Sequence, residues 1–234
     1  MNLREAAKRF FEGSPDRGQS FVYAAEQRLA LRMAQAAPRW LAPAHLSLLG
    51  ALGAVLAAAA LVGCRSWPDL VWLVPPAMFV NWYGLTVDLP LARLRGEERP
   101  GAGMTHHVAD LFSHVILIVA YGFSPFLTLR AAAAVLVCYL LFSSYGYIRA
   151  ATRHVQQMAY IGLGVTEFRI LLALWPFAAM ALGVPESRHD RLPAIDVAVF
   201  VLAAVTVFGL LGKLLKDGRR IAASSAAAAD IQDK

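Results

Sequence analysis

Asp88, His106, Asp110 and His114 are the side chains of this sequence best suited to chemistry. His106, Asp110 and His114 recur at steps of four, so on a helix they share one broad face, and Asp88 can close on that face from a neighbouring helix. Such a group can hold a divalent cation: carboxylates suit Mg2+ or Mn2+, while imidazole nitrogens shift the preference towards Zn2+. The plainer use of the same residues is structural, with Asp110 stabilising a helix amino terminus through the dipole and the histidines flanking it.

The elements that must position these groups are membrane helices. Of 234 residues, 58% are hydrophobic and 16% charged, with a mean hydropathy of +0.52, far from the balance of a soluble domain. Six apolar runs, at about 46–64, 70–88, 108–127, 131–150, 167–184 and 194–215, approach the roughly 20 residues that cross a bilayer as helix. The expected fold is an all-α integral membrane protein of six transmembrane helices. Ahead of them, Val22, Ala25, Leu29, Met33, Ala36 and Trp40 form a helical stripe accompanied by Arg28, Arg32 and Arg39, which predicts an amphipathic helix in the cytoplasmic interface. The chain thus divides into a cytoplasmic segment at 1–45, a six-helix domain at 46–215 and a tail at 216–234 that is expected to fray into disorder. Pro75 and Pro76 predict a kink in the second span. The first apolar run follows about 45 residues of basic sequence, so no cleavable signal is expected.

Charge sets the orientation. With six spans in that order, 18 of the 22 Lys and Arg residues share a side with the termini and the Asp88 loop, leaving only Arg65, Arg130, Arg188 and Arg191 opposite. Positive charge stays cytoplasmic, which places both termini and Asp88 on that side. The net charge of +6 lies in loops beside apolar runs rather than on a separate domain, a pattern that fits membrane lipid headgroups and not nucleic acid. A carboxylate at the bilayer surface is costly unless it faces a cation or a donor, so Asp88 and Asp110 each require a partner. Cys64 and Cys138 show neither a metal-ligand spacing nor a disulfide framework and serve as packing residues. Arg93 and Arg95 can bind phosphates as paired donors or serve as ordinary loop charges, and His107 fits a structural use. Glu167, two residues from Arg169, fits either a helix-end group or the wall of the same cavity.

The residues around Asp88 carry a more specific likeness. LTVDLPLAR at 85–93, followed by HHVAD at 106–110, resembles the pattern D-x2-D-G-x2-A-R-x8-G-x3-D-x3-D of the CDP-alcohol phosphotransferase family. Asp88 falls on the second acidic position, Ala92 and Arg93 on the A-R pair, and Asp110 on the fourth acidic position. APAHLSLLG at 42–50 is similar to that family's entry into its first helix, and NWYG, ERP and TEFRILLA at 166–173 resemble segments of one bacterial branch. The likeness covers most of the chain.

This resemblance implies a homodimer of six-helix protomers in a bacterial inner membrane, with a polar cavity open to the cytoplasm. There an acceptor alcohol attacks the β-phosphate of a CDP-linked lipid or alcohol and CMP is released. It implies Asp88, Asp110 and His106 as ligands of a divalent metal, Mg or Mn, and Asp110 or His106 as the group that takes the acceptor proton. Ala92, Arg93 and, on a later helix, Arg169 become substrate-binding positions. Four residues depart from the pattern: Leu85 and His106 at the first and third acidic positions, and Leu89 and Ala102 at the two glycines. Two carboxylates offset far less charge from a pair of divalent ions than four would, and Leu89 adds bulk where glycine admits close approach to the backbone. Two functions therefore stand: a phosphotransferase of phospholipid biosynthesis with a degenerate motif, or an inactive relative that binds lipid or nucleotide or pairs with an active partner. A transporter is less well supported, since neither inverted internal symmetry nor charge at mid-membrane depth is evident.

Overall fold

The computed structural model describes residues 22–98, 102–153, 164–184 and 194–232. Among them the order is α1 (Tyr23–Ala36), α2 (Pro43–Gly63), a 3-10 turn (Pro68–Leu73), α3 (Val74–Arg95), α4 (Ala102–Phe123), α5 (Leu129–Arg153), α6 (Val165–Ala181) and α7 (Ala194–Gln232), with no strand. Five described segments are long and apolar enough to cross a membrane: Pro43–Gly63, Pro68–Arg95, Met104–Phe123, Leu129–Ile148 and Ala194–Arg219. The protein is thus an all-helical chain of integral membrane type. The run expected at 167–184 is α6, whose 17 residues span about 25 Å at 1.5 Å per residue, short of a hydrocarbon core of roughly 30 Å. The last helix continues to Gln232, through the stretch after residue 216 that was expected to begin as a fraying helix.

Local chemistry accounts for the boundaries. Proline at the first position starts α2, and the Ala42 amide donates to His45 Nδ1 at 3.3 Å, meeting one of the donors that a helix start leaves open. Pro75 and Pro76 do not kink a span. They lie in the first turn of α3, directly after the 3-10 turn, where a missing N–H costs nothing. The proline inside α3 is Pro90, which cannot donate to the carbonyl one turn back, next to Asp88. Gly96 ends α3 in the left-handed region (φ 65°), allowing its own amide and that of Glu97 to reach the carbonyls of Arg93 and Ala92 at 3.2 and 2.9 Å.

Helices α2 and α3 meet backbone to backbone. A Cβ on Gly84 would land on Gly50 N and Leu46 O, and one on Gly53 would sit 2.5 Å from Asn81 N, the small-residue contact that helices use in lipid. Buried Asn81 ties three helices together, donating through Nδ2 to Gly50 O at 2.9 Å and to Ser113 Oγ at 3.1 Å. Leu61, Val74, Met78, Leu117, Tyr121, Phe126, Leu172 and Ala179 form the main apolar core, and the Tyr121 hydroxyl donates to Leu172 O to join α4 to α6. Helix α1 lies on α3, with Ala34 packed among Leu46, Val87 and Leu91. The stripe expected on this segment faces outward: Ala25, Leu29, Ala36 and Trp40 are exposed and Val22 and Met33 half-buried, while the buried residues of α1 are Ala30 and Ala34, outside the stripe.

Candidate functional site

Asp88 sits near the end of α3, Ser47 near the start of α2, His106 and Asp110 in the first half of α4, and Arg169 near the start of α6. Alternating helix directions bring these four ends to one end of the bundle. Asp88 is 4% exposed, and its carboxylate accepts from Ser47 Oγ at 2.9 Å and from the Leu89 amide at 2.6 Å. His106 Nδ1 lies 3.2 Å from Asp88 Oδ1 and 3.4 Å from Oδ2. One turn further along α4, about 6 Å by helical rise, the Asp110 carboxylate receives the Arg169 guanidinium. Both expected partners for the two aspartates are thus basic side chains of the same chain.

His114 completes the row of fours. It is fully buried, and its Nδ1 stands 2.8 Å from the Asp110 backbone carbonyl. A carbonyl only accepts, so Nδ1 carries the proton. Its ring lies near-parallel to those of Tyr139 and Phe168, with centroids 5.2 and 5.5 Å away. Asp110 is therefore held between α4 and α6 beside a wall of aromatic rings.

No family model, no curated protein and no solved structure matches this chain. The case for function rests on the site itself.

The residues present do not fit the two-metal cluster implied by the resemblance. Among the described residues, no set of three or more His, Cys, Asp or Glu side chains is close enough to share a cation. Leu85, at the first acidic position, is 1% exposed and seals the α2–α3 seam, its Cγ 2.8 Å from where a Cβ on Gly50 would stand. Asp110 is already neutralised by Arg169, and His106 presents Nδ1 to Asp88. Asp110 thus faces a guanidinium and Asp88 an imidazole, rather than further carboxylates.

The expected substrate-binding positions scatter. Ala92 is buried at 5%. Arg93 is turned to solvent, its side chain 68% exposed and its Nε 3.1 Å from Glu98 Oε1. Arg95 braces the elbow before α2, donating to Leu41 O at 2.6 Å and to Pro38 O at 2.9 Å. Of the expected set, Asp88, His106, Asp110 and Arg169 come together, while Arg93 and Ala92 do not join them. Glu167 is a helix-end group, accepting from Gly164 N at 2.9 Å and from Val22 N at 3.1 Å. Ser47 was missed, although it lies in the 42–50 segment that resembles the family; a lone serine in an Ala-rich helix carries no signal until its neighbour is known. His107 meets His106 and Tyr147 edge-on, with centroids 5.6 and 6.1 Å away.

Proposed function

We propose that this chain is a CDP-alcohol phosphotransferase-like membrane protein that has exchanged metal-dependent transfer for binding a CDP-linked lipid or a related phosphate-bearing ligand without turnover. The observation that carries this reading is the Asp110–Arg169 pair together with His106 on Asp88. Each carboxylate that would otherwise need a cation is satisfied internally, so the site is stable without one. On this reading α6 is the short sixth span, α1 lies in the cytoplasmic interface, both termini are cytoplasmic, and protomers pair in a bacterial inner membrane. On this reading Arg93, exposed and paired with Glu98, exchanges that carboxylate for the ligand phosphates.

The deciding experiment uses purified protein in lipid nanodiscs with a CDP-linked lipid. Binding is expected to persist with a chelator present, with no CMP released in Mg2+ or Mn2+. Release of CMP that scales with protein and disappears in Asp110→Asn would overturn the proposal. It would favour the second reading, CDP-alcohol phosphotransfer for phospholipid synthesis, which is supported by the retained spacing of Asp88, Ala92, Arg93 and Asp110. That reading requires Arg169 to leave Asp110 during the reaction.

A further inference from the structure

Helix α1 has two faces of different character. Its inner face carries buried Ala30 and Ala34 together with Glu26, whose Oε1 accepts from Trp82 Nε1 of α3 at 2.7 Å and from the Thr166 hydroxyl of α6. At the same junction the Val22 amide donates to Glu167 of α6. The outer face exposes Arg28 and Arg32, with Leu29 and Leu31 each more than two-fifths exposed beside them. Beyond the helix, Arg39 and Trp40 are exposed at the elbow that Arg95 braces. Guanidinium groups flanked by exposed leucines and a tryptophan suit a surface that is anionic above and apolar beneath. The bilayer that holds the bundle supplies such a surface.

The inner contacts give docking a consequence. Thr166 and Glu167 open α6, and Arg169 follows within the same turn, on Asp110. Whatever seats α1 also seats the first turn of α6, and with it the guanidinium that neutralises Asp110. We propose that the outer face of α1 docks on acidic phospholipid headgroups and that this docking, transmitted through Glu26 and Thr166, holds the amino-terminal turn of α6 in place. This goes beyond the ligand-binding reading above and does not depend on it.

The test compares the full chain in nanodiscs of phosphatidylcholine alone and of phosphatidylcholine with phosphatidylglycerol, following amide hydrogen exchange over residues 25–36 and 165–172. Exchange over a locally opening helix reports its opening equilibrium, and each arginine near an acidic surface contributes about fivefold. Residues 25–36 are expected to exchange roughly 25-fold more slowly in the acidic discs at low salt, with the difference shrinking as salt rises. Arg28→Gln with Arg32→Gln, both on the exposed face, should abolish it. Residues 165–172 should slow in parallel in the native chain but lose that lipid dependence in Thr166→Val. Equal exchange in the two lipids, or a lipid effect that survives the double arginine variant, overturns the docking. An α6 response that is absent from the native chain or retained in Thr166→Val overturns the transmission.

Discussion

Asp110 and Arg169 form a pair that is 14% and 7% exposed, so neither charge has water to fall back on. Removing one partner of such a pair leaves the other buried and costs about 3–5 kcal/mol. Asp110→Asn should therefore lower unfolding stability in detergent by roughly that amount, and Asp110→Asn combined with Arg169→Met should recover most of it. A double variant no more stable than the single would show that the pair does not carry the cost. Arg93 gives the contrast, since its partner Glu98 is 62% exposed and such pairs contribute under about 1 kcal/mol; Arg93→Ala should leave the same measurement almost unmoved. The four-residue spacing made the shared face of His106 and Asp110 legible, because helix geometry alone places them there. The outward turn of Arg93 was not legible, since it depends on the chain doubling back at Gly96 to bring Glu98 alongside.

At the scale of the element, the α2–α3 contact depends on glycines that bring one backbone against the other. Gly84→Ala would drive a methyl group into Gly50 and Leu46 O, and overpacking of this kind costs about 1–3 kcal/mol. The lost stability should be accompanied by cross-linking between cysteines placed at opposed α2 and α3 positions becoming slower. A variant as stable as the native chain would mean the seam is looser than the structure shows. The Ala- and Gly-rich composition of α2 is the kind that permits such close contact. The role of Pro75 and Pro76 did not follow from their presence, because proline bends a helix in its middle and starts one at its edge, and only the preceding 3-10 turn decides which. The α1–α6 bond was illegible for another reason. Glu26 and Thr166 are 140 residues apart, and no local periodicity specifies such a pairing.

Taken as a whole molecule, the helices alternate so that Asp88, His106, Asp110 and Arg169 share one end and the Thr128 hydroxyl, 2.6 Å from Asp196, lies towards the other. Ser66, in the exposed turn after α2, and Glu97, in the turn after α3, mark opposite ends. In intact cells Ser66→Cys should react with an impermeant maleimide, whereas Glu97→Cys should react only after the membrane is opened. The reverse pattern would invert the orientation argued from the positive residues. Hydropathy made the helical membrane class legible, since long apolar runs have few alternatives in lipid. The apolar run read at 167–184 continues past Ala181, where α6 itself ends.

The burial of Leu85 between two tightly apposed helices leaves neither room nor solvent there for a charged side chain. Leu85→Asp would bury a charge against the α2 backbone, which costs several kcal/mol unless a donor or cation meets it.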